Sequence, residues 1–202
     1  MLVYTHLNVD QDNLTTIFSN THEAEQHQEP VQWFVMNAYH AELKAEQILQ
    51  RDGFQCYVPK HYILRRHRTG TTRMLVPVIP NLVFVRSTYH KLHAFQRTLT
   101  FLSFATMPRL DGGHSTMKVP DSEMDNFIRV TSHAEEELRY FRPEEVNLTK
   151  GQRIRIIGGL FDGTEGTLLK VKGIRERRLV VSITGLIAVA ATHIEPEYIQ
   201  LL

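Results

Sequence analysis

The C-terminal quarter of the chain constrains the fold most. Five short β-rich runs are crowded into residues 153–157, 166–172, 179–183, 186–191 and 198–201. Glycines and charged turns separate them, a pattern of strands rather than helices. Strands this short and numerous favour a small barrel, whose closure removes exposed edges. The segment predicts an all-β domain over residues 148–202.

The preceding half reads differently. A strand over Trp33–Asn37 is followed by an apolar helical period from Ala41 to Arg51. Asp52-Gly53 ends that helix, with Gly53 suited to the left-handed residue beyond a helix C-terminus. An extended run from Phe54 to Leu64 leads into a basic loop, Arg65 to Arg73, centred on Thr69-Gly70-Thr71. Leu75 to Arg86 reads as a strand, with Pro77 and Pro80 confining its first part to an edge or a bulge. Thr88 is placed to cap a helix from Tyr89 to about Thr98. A short strand over Phe101–Ala105, a turn at Asp111-Gly112-Gly113 and a helix from Pro120-Asp121 to about Thr131 complete the series. The order predicts an α+β domain over residues 31–133, a small antiparallel sheet with helices on one face.

Charge divides the chain further. Residues 1–30 carry a net −5, 31–109 a net +8, 110–147 a net −5 and 148–202 a net +3. Opposed blocks of this kind point to separate partners or to contact between the blocks. Residues 1–30 are polar and read as a flexible extension, with one amphipathic turn at Leu14, Ile17 and Phe18. Residues 134–147, with Glu135-Glu136-Glu137 and Pro143, read as an acidic linker.

Several classes are disfavoured. The single cysteine, Cys56, forms no intramolecular disulfide. No apolar run reaches membrane-spanning length, and no secretory signal is visible, so a cytoplasmic protein is expected. Among the histidines, His90 and His93 are spaced for one helix face, and His61 and His67 could join them. No cysteine pair or His-Glu-x-x-His pattern accompanies them, so no metal is expected. Gly158-Gly159 lacks the Gly-Lys-Ser/Thr of a phosphate loop. No catalytic residue and no cofactor are assigned, and the chain is expected not to be an enzyme.

Two motifs carry a resemblance. Gly151 opens an apolar strand, Gly159-Leu160-Phe161-Asp162-Gly163 follows, and Gly166 opens the next strand. This resembles a KOW domain, an SH3-like barrel, with Leu160 where that family usually has proline. Trp33-Phe34-Val35, the first helix, Cys56-Tyr57-Val58-Pro59, the basic loop and Pro80-Asn81-Leu82-Val83-Phe84-Val85 resemble the NusG N-terminal (NGN) domain. The whole order resembles the NusG/RfaH family of transcription elongation factors. The Pro-Asn-x-x-Phe-Val form and the long extension look most like the specialised UpxY-type antiterminators.

The resemblance implies a function and a set of sites. Such proteins bind the RNA polymerase clamp coiled coil and promote processive transcription, in specialised cases on one operon class such as capsular polysaccharide genes. The matching polymerase-binding positions are Leu82 and Phe84, with Tyr57, Pro59 and Phe104 as neighbours, and His93 for a second contact at the gate loop. Alternation puts Leu82 and Phe84 on one strand face and Val83 and Val85 on the other. One face must be core, and periodicity does not say which. Lys44 and Arg51 on the first helix, and Arg65, Arg66, His67, Arg68 and Arg73 around the loop, are candidate contacts to non-template DNA or nascent RNA. Phe161 and Ile187 match the surface that meets ribosomal protein NusE or Rho, and Phe161 could equally plug the barrel. The β-branched strands favour a stable barrel over a helical alternative. A monomer is expected. The alternatives are a general housekeeping NusG and a KOW-type RNA- or ribosome-binding module.

Overall fold

Trp33, Phe34, Val35 and Met36 are all buried, so β1 (Gln32–Asn37) needs cover on both faces. The computed structural model of the protein describes residues 29–136, 138–171, 173, 175–191 and 194–202. The expected extension, apart from Glu29 and Pro30, lies outside the described residues, as do Glu137 and Lys172. β1 pairs antiparallel with β5 (Leu82–Ser87), and β5 pairs with β2 (Gln55–Tyr57). On its other edge β1 meets β6 (Ser103–Phe104) at one end and β9 (Lys118–Val119) at the other.

Helices cover both faces of this sheet, not one. Helices α1 (Glu42–Arg51) and α2 (Tyr89–Gln96) pack on the side of Phe34, Met36, Val83 and Val85. Helix α3 (Asp121–Thr131) packs Met124, Phe127 and Val130 on the side of Trp33, Val35 and Phe84. The reason lies in the strands: both alternating faces of β1 and β5 are apolar, and a two-sided apolar sheet must be covered twice.

Prolines cut two of the expected long strands. Pro59 has no N–H for a ladder, and the Phe54–Leu64 run divides into β2 and β3 (Lys60–His67). Leu75–Arg86 divides at Pro77 and Pro80 into the end of β4 (Gly70–Pro77) and β5. The expected basic loop is instead a hairpin: β3 and β4 pair along their whole length, from Lys60↔Pro77 to His67↔Gly70. Only Arg68 and Thr69 are left for the turn.

The ends of the elements are held by side chains. Asn81 adopts φ +66°, its carbonyl accepts from the Ala38 N–H at 2.7 Å, and its Oδ1 accepts from the His40 N–H at 2.7 Å. Thr88 Oγ1 accepts from the Lys91 N–H at the start of α2, and the Glu29 carboxylate accepts from the Tyr89 and His90 N–H groups at 2.9 and 3.1 Å. Such contacts occupy donors that a helix start leaves open. A second small hairpin, β7 (Thr106–Pro108) with β8 (His114–Thr116), turns through Asp111-Gly112-Gly113.

The C-terminal part is a six-stranded antiparallel sheet in the order β10-β14-β13-β12-β11-β15. Its strands are β10 (Arg139–Phe141), β11 (Gln152–Ile156), β12 (Glu165–Lys170), β13 (Arg177–Ile183), β14 (Ile187–Ala190) and β15 (Ile199–Leu201). Five were expected; the sixth, β10, comes from the acidic segment read as a linker. Arg139-Tyr140-Phe141 breaks that acidic run and pairs with Ala190, Val189 and Ala188. Gly151 faces this sheet without a side chain because a Cβ there would come within 2.1 Å of Thr167 Cγ2.

Candidate functional site

Helix α3 is the seam between the two sheets. Its inner side carries Met124, Phe127 and Val130 to the first sheet, and the same continuous core includes Ile154, Phe161, Leu179, Ile187 and Val189 of the second. Polar side chains of α3 pin the second sheet by its backbone. Glu123 accepts from the Thr184 N–H and hydroxyl, both at 2.8 Å. Asn126 Oδ1 accepts from the Glu165 N–H at 2.8 Å, and Arg129 donates to the Gly163 carbonyl at 2.6 Å. Sequence reasoning missed these three residues. Their signal was present: positions 123, 126 and 129 recur at helical spacing on the polar side of α3.

The expected polymerase-binding residues do not form one patch. Phe84 is 0% exposed, with its ring 5.8 Å from that of Phe127. It is core in this conformation, because α3 covers the face that alternation left undecided. Pro59 is buried as well. Leu82 and Tyr57 are only half-buried and pack against the same core from its rim. Tyr57 holds its hydroxyl 2.6 Å from Thr131 Oγ1, and burial pushes its pKa up to about 12. Tyr140 of β10 stands nearby; burial, with the proximity of Tyr57, drives its pKa upward too.

Phe104 and His93 lie on the opposite face. The Phe104 ring stacks on Tyr89 at 5.2 Å, Tyr89 stacks on His93 at 5.4 Å, and the edge of Phe34 closes the group at 5.5 Å. The structure therefore divides the expected set in two: Tyr57, Leu82 and Phe84 face α3, while His93 belongs to α2 and Phe104 packs beside that helix.

Phe161 and Ile187, read as a partner surface with Phe161 equally able to plug the barrel, are 4% and 9% exposed. Both sit in the core shared with α3, and the His133 ring meets Phe161 edge-on at 5.6 Å. Docking of the second sheet against α3 is the physical reason.

The basic candidates are exposed throughout. Lys44 lies over the Phe101 ring at 4.8 Å, and Arg51 pairs with its neighbour Asp52 at 3.1 Å. Arg65, Arg66 and His67 lie at the far end of β3 and Arg68 in the turn, so four cationic or titratable side chains crown a two-stranded ribbon. Arg73 is nearer its base. Its guanidinium lies 3.7 Å from the centre of the Tyr62 ring and pairs with Glu135 at 3.2 Å. The tip is thus free to meet phosphate, whereas Arg73 is already engaged with the acidic segment.

Among the described residues no cluster of three or more His, Cys, Asp or Glu side chains is arranged to hold a metal ion. Cys56 is half-buried, and burial pushes its thiol up to about 11, which leaves it protonated and a poor nucleophile. Among the described residues no helix is long and apolar enough to cross a membrane.

Residues 31–128, from β1 to most of α3, match the family model NusG, described as transcription termination factor nusG. That family consists of transcription factors, not enzymes, and its members interact with RNA polymerase. No curated protein matches the chain.

Proposed function

With residues 31–128 a NusG-family domain, and so a domain of transcription elongation and termination factors, we propose that the chain binds elongating RNA polymerase and promotes processive transcription of a restricted set of operons, such as capsular polysaccharide genes. The N-terminal domain (residues 31–133) holds the clamp coiled coil. The C-terminal sheet is a KOW barrel that recruits a second factor, NusE or Rho. The protein works as a cytoplasmic monomer.

One observation carries this reading. Tyr57 and Leu82 leave an apolar rim on the sheet face where the resemblance places the clamp contact, beside the buried Phe84. A helical tip needs such an apolar anchor. The same face is roofed by α3 and the docked second sheet. Engagement by Phe161 and Ile187 therefore requires the second sheet to leave α3, and engagement by Phe84 requires α3 itself to lift from the first sheet. The basic tip of β3–β4 supplies phosphate contacts to nearby nucleic acid.

The test is binding of the full chain to the isolated clamp coiled coil, wild type beside Leu82→Glu. Leu82 is half-exposed, so its variant keeps the fold, which Phe84→Asp would not. Loss of binding in a folded variant is the expected result. Equal binding by both proteins would overturn the polymerase contact. Run-off transcription on templates with and without the operon leader then separates a specialised factor from a general one.

A further inference from the structure

We propose that the C-terminal sheet carries a second nucleic-acid surface, at the β12–β13 turn, that grips the phosphate backbone of duplex DNA. The sequence here is Lys-Val-Lys-Gly-Ile-Arg-Glu-Arg-Arg over residues 170–178. Lys170 and Arg177 stand directly opposite each other in the β12–β13 ladder. Like charges at opposed positions destabilise a sheet, and nothing in the fold requires them. Both are exposed, and both line a groove of about 500 Å³ together with Lys150. Arg139 of β10 lies against Gly173 in the turn, and Arg175 is exposed beside it.

The acidic groups facing this cluster are too few to neutralise it. Glu145 is the one carboxylate among the described residues lining the groove, against Lys150, Lys170 and Arg177. Glu176 pairs with Arg178 at 3.6 Å, and the Arg178 Nε is buried without a hydrogen-bond partner. A concentration of exposed cations with opposed like charges is stabilised by a polyanion.

The lining chooses between polyanions. Besides its polar groups the groove presents only aliphatic side chains, Val146, Leu168, Leu169 and Val171, with no aromatic ring. Single strands are held by bases stacked on aromatic side chains. A groove with cations on rigid strands and no stacking platform suits a backbone already ordered, as in a duplex. This surface holds whether or not the chain binds polymerase.

The experiment is a salt titration of the full chain on a labelled mixed-sequence DNA duplex of roughly two helical turns, from about 50 to 200 mM salt. Wild type is compared with Lys170→Gln/Arg177→Gln and with Arg66→Ala/Arg68→Ala. The first variant should make the slope of log K against log salt shallower by about 2, one unit for each lost phosphate contact. Its thermal midpoint should be no lower than wild type, because an unfavourable charge pair has gone. The ribbon variant must retain the part of the slope due to Lys170 and Arg177. An unchanged slope in the first variant, no duplex binding by wild type, or a loss seen only on single-stranded RNA of equal length would each overturn the proposal.

Discussion

The hydroxyl oxygens of Tyr57 and Thr131 lie 2.6 Å apart, joining β2 to the last residue of α3. Thr131 donates its one proton to the Phe127 carbonyl at 2.7 Å, so Tyr57 is the donor between them. The rim of the candidate site is thus tied to the helix that roofs it.

Tyr57→Phe should cost about 1 kcal/mol, the net value of one hydrogen bond, read by urea unfolding. Burial favours the neutral phenol and raises its folded-state pKa from 10.0 to about 12. Its contribution is therefore complete below the unfolded value and is lost as pH rises from about 10 to 12. The variant should show a flatter decline across that window than wild type.

Phe84→Ala should destabilise the first sheet by about 3–5 kcal/mol, because it empties a site packed by Phe127 and Val35. Leu82→Ala, at the rim, should cost less than half as much. Equal costs would contradict the burial difference between these two neighbours.

Removing the polar pins of α3 should loosen the second sheet without unfolding either one. Glu123→Ala with Arg129→Ala takes away the contacts to Thr184 and to the Gly163 carbonyl. Partial exposure keeps each contact to about 1 kcal/mol. Amide exchange should quicken at Thr184 while the core of β13 keeps its protection.

Arg66→Ala/Arg68→Ala at the ribbon tip should leave the thermal midpoint unchanged and weaken nucleic-acid binding. The salt slope should fall by about 2. Arg73→Ala should behave differently. It removes a stacked and ion-paired group, so a stability change should accompany any loss of binding.

Local chemistry was the most legible part of the sequence. Thr88 caps α2, Gly53 takes its left-handed φ of +77°, and α3 runs from Asp121 to Thr131 as the Pro120-Asp121 start predicts. Prolines are visible in the sequence, and at Pro59 and Pro77 they end strands outright rather than bending them. What periodicity does not hold is which element covers which face. Leu82 and Phe84 alternate with Val83 and Val85 whichever side is covered, and both sides are. Phe161 likewise reads the same as a plug or a contact until α3 is placed over it. Strand β10 is not legible because three residues flanked by carboxylates give too short a pattern.

That strand also sets how far the two halves can part. Only Ser132 to Leu138 separate the end of α3 from β10, a leash of seven residues that spans about 25 Å when fully drawn out. While β10 stays zipped to β14, the second sheet can swing aside but not travel. Unzipping it would lengthen the leash through to β11 and leave the edge of β14 bare. The reach of the second sheet is therefore quantised, short or long, and an outside strand that bound the edge of β14 would fix the long setting.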